Sequence, residues 1–374
     1  MTNVTTKAPF SADQVGSLLR PDRLHEARDN FEQGTISAEK LRSVENEEIE
    51  RAVDKQLETG LPAVTDGEFR RRFFNFDFME NLNGFEAYIP EQGADFNGEK
   101  VEKHGIRNTG EISFNPDHPF VQDLKDLIAI VDGRAEVKFT LPSPNLFFND
   151  GTRNPAIYPD LESYADDLIK TYQKAIQTFY DAGLRYLQLD DVYISGLAAD
   201  YVPWNADPGE QRGALIDLAV RVLNESLAYK PDDLTVTVHM CRGNYRSSWA
   251  YEGGSYDRIA PNVFAEANVD GFFLEYDDER SGGFEPLAYI PEGGPRVILG
   301  LVTSKSGELE NRQDVIAQVH EAARYVPLEQ LGLSPQCGFA STHHGNKLTE
   351  EQQWAKLAFV ADTAKEIWRD AANK

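Results

Sequence analysis

Eight short apolar or β-branched runs recur along this chain, most of them followed by a helical pattern. They lie near residues 13, 62, 136, 186, 234, 271, 296 and 331. A strand that alternates with a helix favours a parallel sheet covered by helices. Eight such units in 374 residues predict an α/β chain closed into a (β/α)8 TIM barrel, one catalytic domain over 1–374. Residues 73–115 break the pattern: 84–89 and 105–114 read as extended, which predicts a β-hairpin inserted after the second strand. A doubly wound open sheet is the alternative. It wants a G-x-G-x-x-G turn after its first strand, and Val15-Gly-Ser-Leu-Leu has none.

The helices carry their own punctuation. Pro21 suits a first helical turn. Ser37 is a good N-cap for a helix whose apolar positions Leu41, Val44, Ile49, Val53 and Leu57 keep helical spacing, and Gly60 ends it. Further helices are expected over 119–131, 161–182, 212–228 and 311–325, before 268, and from Thr349 to Trp368.

A formal net charge of −25 argues against nucleic-acid or anionic-membrane partners, which are bound by basic surfaces. No run approaches the roughly eighteen apolar residues of a membrane span, and the first residues have no apolar core of signal-peptide length. Two cysteines, Cys241 and Cys337, are too few for a disulfide framework. A cytoplasmic protein acting on small molecules is expected.

The polar residues of interest gather at the ends of the expected strands. In Leu234-Thr-Val-Thr-Val-His239-Met-Cys241, Val236, Val238 and Met240 share one face, so His239 and Cys241 project together from the other. In Tyr186-Leu-Gln-Leu-Asp190, the leucines face one way and Gln188 and Asp190 the other. Ser17, Asp66, Glu68, Glu275 and Cys337 also sit at strand ends, which in a barrel share one rim. His239, Cys241, Glu275 and Cys337 offer one imidazole, one carboxylate and two thiols, a set zinc accepts. Spread over three strands of a large barrel, they suit a catalytic rather than a structural metal. Blander readings stay open: inert buried cysteines, a salt-bridged Glu275, an N-capping Asp190, and Glu68 paired with Arg70 or Arg71. Arg70-Arg71-Arg72 reads equally as a solvated face or an anion site. His343 and His344 read as proton donors or as an accessible loop pair.

Five stretches together resemble cobalamin-independent methionine synthase, specifically its C-terminal catalytic barrel and the short single-barrel bacterial homologues. They are Asp13-Gln-Val-Gly-Ser-Leu-Leu-Arg-Pro21, Thr65-Asp-Gly-Glu-Phe-Arg70, Leu187-Gln-Leu-Asp190, His239-Met-Cys241-Arg-Gly-Asn244 and Ser334-Pro-Gln-Cys337-Gly. The resemblance implies zinc held by His239, Cys241, Glu275 and Cys337. It implies methyl transfer to the thiol of homocysteine, giving methionine, with a 5-methyltetrahydrofolate-type donor. Gly16 and Ser17 match positions near the substrate carboxylate, and Glu68 and Asp190 positions near its ammonium.

The chain departs from the full-length synthases in three places. Their N-terminal barrel is absent from this sequence. Leu141-Pro-Ser-Pro144 stands where they carry an aromatic residue, and Ser304 and Lys305 stand where they carry Asp and His. Two alternatives follow: alkyl transfer to another thiol such as coenzyme M, and a metal-stabilised barrel that only binds. Coenzyme M has no ammonium for Glu68 and Asp190 to meet.

Overall fold

The computed structural model describes residues 7–149, 151–200, 211–250 and 254–371. In chain order the strands are β1 (Ala63–Val64), β2 (Asn83–Tyr88), β3 (Asp95–Phe96), β4 (Glu99–Lys100), β5 (Gly105–Ser113), β6 (Glu136–Pro142), β7 (Tyr186–Asp191), β8 (Thr235–Met240), β9 (Gly271–Glu275), β10 (Arg296–Val302) and β11 (Leu331–Pro335). The helices are α1 (Asp22–Glu32), α2 (Ala38–Thr59), α3 (Phe76–Met79), α4 (Pro119–Val131), α5 (Leu161–Asp181), α6 (Tyr193–Ala198), α7 (Arg212–Ser226), α8 (Ala260–Glu266), α9 (Arg312–Ala322) and α10 (Glu350–Ala371).

Seven strands form one curled parallel sheet, ordered β1-β6-β7-β8-β9-β10-β11. Its strands are buried along nearly their whole length, as parallel strands covered on both faces must be. The register sets the site. Asp190 lies opposite His239, and Glu275 opposite Gly300.

The run expected as a strand near residue 13 is reduced to a parallel bridge, Ala12 to Leu333. The Asp13 N–H donates to the Leu333 carbonyl at 3.0 Å, and Leu333 N–H to the Ser11 carbonyl at 2.9 Å. Side chains take over the remaining backbone partners. Asp13 accepts from Phe10 N–H (3.1 Å) and Gln14 N–H (2.8 Å), while Gln188 Nε2 donates to the Val15 carbonyl (2.8 Å). At the other edge the Leu18 N–H reaches the Gly67 carbonyl (3.0 Å) and Thr65 Oγ1 the Gly16 carbonyl (2.6 Å). This segment therefore touches both edges of the sheet without becoming a strand. β1 is cut to two residues in the same way. The Gln56 side chain accepts from Thr65 N–H and donates to the Thr65 carbonyl, each at 2.9 Å.

Ser37 caps α2 by accepting from Lys40 N–H (3.3 Å), and Gly60 ends it at φ 84°. The cap of α4 is an imidazole: His118 Nδ1 accepts from Phe120 N–H (3.2 Å). α8 stops at Glu266, short of Asn268, whose N–H is taken by Asn224 Oδ1 (2.7 Å). α9 covers 312–322, shorter than the expected 311–325.

Residues 73–115 hold α3, the antiparallel pair β2–β5, and a small hairpin of β3 and β4 turning at Asn97 and Gly98. Phe85 in β2 meets the Phe147 ring at 4.9 Å, which presses the pair against the main body. Among the described residues no helix is long and apolar enough to cross a membrane.

Candidate metal centre and substrate cavity

His239 is the last residue but one of β8, Glu275 ends β9, Cys241 directly follows β8, and Cys337 lies in the turn two residues after β11. One ligand atom from each lies within 4.8 Å of every other, and all four residues are buried. The thiols are 3.7 Å apart, unlinked. His239 Nδ1 contacts Asp190 Oδ1 at 3.1 Å, which leaves Nε2 to face Glu275 Oε1 at 3.6 Å, too long for a hydrogen bond. His239 Nε2 and both Glu275 carboxylate oxygens have no hydrogen-bond partner. Buried polar atoms are ordinarily satisfied. Three orphan acceptor or donor atoms converging with two thiols are what a divalent cation would satisfy. The donor set fits zinc or a neighbouring transition ion.

Without a cation, burial opposes charge on His239, but the flanking Asp190 and Glu275 outweigh it and raise its pKa to about 10, so a bound ion would displace that proton. The sulfur contact holds Cys337 below the ordinary thiol value and, with burial, pushes Cys241 well above it. The ring is oriented from behind: Asp190 Oδ1, which also accepts from Gln188 Nε2 (2.7 Å), fixes which nitrogen points at the cluster.

A cavity of about 350 Å3 opens in front of the cluster. Ser17, Glu68, Asp190, His239, Cys241 and Cys337 line it, whereas Gly16 and Glu275 are not among its lining. Phe73, Phe74, Tyr88 and Phe96 from the inserted segment add apolar wall. This volume and mixture suit a small polar ligand held in a largely dry site.

Glu68 is set with some strain. Its backbone is left-handed at φ 59°, costing roughly 1–2 kcal/mol for a residue with a side chain, and Asp66 Oδ1 braces its N–H at 2.9 Å. Oε1 accepts from Thr140 Oγ1 (2.7 Å), and Arg71 stands 3.5 Å away. Oε2 has no partner. Burial raises the Glu68 pKa, with Arg71 opposing. So Glu68 does pair with Arg71. Arg70 pairs instead with Glu45 and Asp123, and Arg72 with Glu32 and Glu102, so the three arginines form no common anion site.

Ser17 sits against the turn after β11. Its carbonyl accepts from Phe339 N–H (2.8 Å), and a Cβ on Gly338 would lie 1.9 Å from its Oγ, so only glycine permits this approach. Gly16 holds φ 139°.

Several contributors escaped the sequence reading. Lys305, noted only as a departure, is partly buried, 3.4 Å from Asp277. Burial works against its charge, but Asp277, Glu275 and Cys337 outweigh it and raise its pKa. Thr140 and Gln188, which hold Glu68 and Asp190, were readable only as inward-facing strand residues. His343 and His344 do not line the cavity, but both contact Glu102, which does.

Comparison with known proteins is consistent across sequence and structure. Residues 10–365 match the family model described as cobalamin-independent synthase, catalytic domain. The chain is 51% identical over 369 residues, 97% of this chain and 96% of the relative, to a Bacillus subtilis (strain 168) protein named uncharacterized protein YxjG. It is 23% identical over 326 residues, 87% of this chain and 84% of the relative, to a methionine synthase of Sulfolobus acidocaldarius. A solved structure from Listeria monocytogenes, assigned as a candidate vitamin-B12-independent methionine synthase, superposes with a TM-score of 0.79 at 42% identity. The match covers 97% of this chain and 99% of that one.

Proposed function

The chain belongs to the cobalamin-independent methionine synthase family, and from that premise we propose that it transfers a methyl group to the thiol of homocysteine to give methionine. The donor we assign is of the 5-methyltetrahydrofolate type. The carrying observation is that His239, Cys241, Glu275 and Cys337 meet beside a cavity whose wall also holds Glu68 and Asp190.

In this reading His239, Cys241, Glu275 and Cys337 hold zinc. Zinc so held supplies a Lewis acid that lowers the pKa of a substrate thiol, making the nucleophile available at neutral pH. The chain does the rest. Asp190 keeps the His239 ring turned toward the cluster. Glu68 Oε2 and Asp190 face the substrate ammonium, as charge-assisted acceptors should. Gly16 and Ser17 take the carboxylate end. The aromatic wall from 73–96 keeps water from the sulfur, which strengthens these contacts. Lys305 offsets part of the negative charge that two thiolates and a carboxylate bring to one point.

We further read residues 1–374 as one barrel-like domain, closed by the segment at 11–18 in place of an eighth strand, with 73–115 inserted. A cytoplasmic location suits this small-molecule chemistry.

The test is incubation of the zinc-loaded protein with homocysteine and a panel of methyl donors: folate monoglutamate, folate polyglutamate and methylcobalamin. Methionine is the readout. Formation with any donor supports the proposal, and the panel names the donor. Alkylation of coenzyme M in place of homocysteine overturns it.

A further inference from the structure

Glu102 lies in the inserted segment just before β5, at the wall of the cavity. His343 and His344 lie in the turn after β11. His343 Nε2 stands 2.9 Å and His344 Nε2 3.3 Å from the same oxygen, Glu102 Oε2. One ligand atom from each residue lies within 4.8 Å of the other two.

The surroundings fix these atoms in place. The other carboxylate oxygen, Oε1, is held by Arg72 Nη2 at 2.8 Å. The His343 N–H donates to the Arg72 carbonyl at 2.7 Å, and the turn closes through Gly345 N–H to the Thr342 carbonyl at 3.1 Å. Thr342 Oγ1 contacts His344 Nδ1 at 3.2 Å, which leaves Nε2 directed at the carboxylate. Metal-binding histidines are commonly oriented through their other nitrogen in this way. Tyr245 packs on the His344 ring at 5.3 Å and Phe73 on that of His343 at 6.1 Å.

Two imidazoles and one carboxylate, with no sulfur, suit zinc, cobalt or nickel and leave positions open to water. We infer that Glu102, His343 and His344 form a second divalent transition-metal site, at the cavity wall, separate from the thiol-containing cluster. Its ligands come from the inserted segment and from the β11 turn, so a bound ion staples the insertion down over the cavity. The inference does not depend on the reaction catalysed.

The experiment uses the full chain carrying one equivalent of zinc, titrated with cobalt(II). One further equivalent is expected. Its visible spectrum should lack the sulfur-to-cobalt charge-transfer band, and hydrogen exchange over residues 88–106 should slow on binding. Glu102→Gln and His344→Ala are expected to weaken this equivalent at least ten-fold and leave the first in place. Both residues are partly exposed, so folding is a small risk, checked by circular dichroism. No second equivalent at millimolar cobalt, or one that both variants leave untouched, overturns the inference. Should the thiol cluster itself take no zinc, the same band and the same variants still decide the matter.

Discussion

Two buried ionic groupings inside this molecule are built to opposite rules. Below the rim, Asp13 and Lys138 form a fully buried pair at 3.2 Å. Asp13 also accepts from Tyr186 Oη (2.9 Å) and from the N–H groups of Phe10 and Gln14. Lys138 sits 3.8 Å from the centre of the Phe273 ring and donates to the Gln14 carbonyl. Neither side chain has an unpaired buried polar atom. At the rim, Glu275, His239 and Glu68 are equally buried and carry orphan atoms. The first grouping is complete in the protein alone. The second keeps unpaired atoms that a bound ligand would complete. Between these two groupings the difference is hydrogen-bond satisfaction, not burial.

The sharpest way to break that contrast is to remove a rim sulfur. Cys337→Ser is expected to lower turnover on the order of 10³-fold, about 4 kcal/mol in activation free energy. Metal content should fall with it, while the melting temperature of the metal-free protein barely moves. Parallel metal analysis, turnover and calorimetry check this. Undiminished turnover would place the chemistry elsewhere. Lys138→Met should do the reverse. Leaving Asp13 buried without its partner costs about 3–5 kcal/mol, read as a lower denaturation midpoint. Adding Asp13→Asn should recover much of the loss. If Lys138→Met is as stable as the parent, the interior pair is not scaffold.

The same contrast explains what the sequence disclosed. α4 (119–131) and β6 (136–142) could be read to the residue, because Pro119 and a compact apolar run mark them locally. Strand parity placed His239 and Cys241 on one face, and strand ends placed Glu275 and Cys337 near them. The segment at 13–17 was misread as a strand because its partners are side chains far along the chain, Lys138 and Gln188 among them. The supports of the site were invisible for the same reason. Thr140 matters because Glu68 returns to it from an unusual left-handed turn. Lys305 matters because a neighbouring strand brings Glu275 beside it. Glu102 lies between the two extended stretches of the insertion, where no local pattern marks it.

Glu68→Gln sharpens the rim half of the comparison at smaller scale. The amide keeps the shape and the Thr140 contact but loses the charge offered to an ammonium. A charge-assisted bond of about 2 kcal/mol corresponds to a rise in KM for homocysteine of roughly 30-fold, with kcat changed less. Equal KM values for the two proteins would remove Glu68 from the ammonium site.

His118 supplies the smallest effect and a third condition, a buried polar group satisfied only when neutral. Its Nε2 donates to the Phe78 carbonyl (3.0 Å) while Nδ1 caps α4, so there is no acceptor for a second proton. Burial, with the Phe78 carbonyl opposing, lowers its pKa to about 4 against an ordinary value of 6.5. Between those values the unfolded chain binds a proton that the folded one refuses, so stability falls as pH drops from 6.5 toward 4. The slope is about 1 kcal/mol per pH unit. His118→Asn keeps an acceptor for Phe120 N–H but cannot titrate. It should therefore be less stable at pH 7 yet flatter across this window in pH-dependent urea denaturation. An unchanged slope would mean that protonation at this position does not couple to folding.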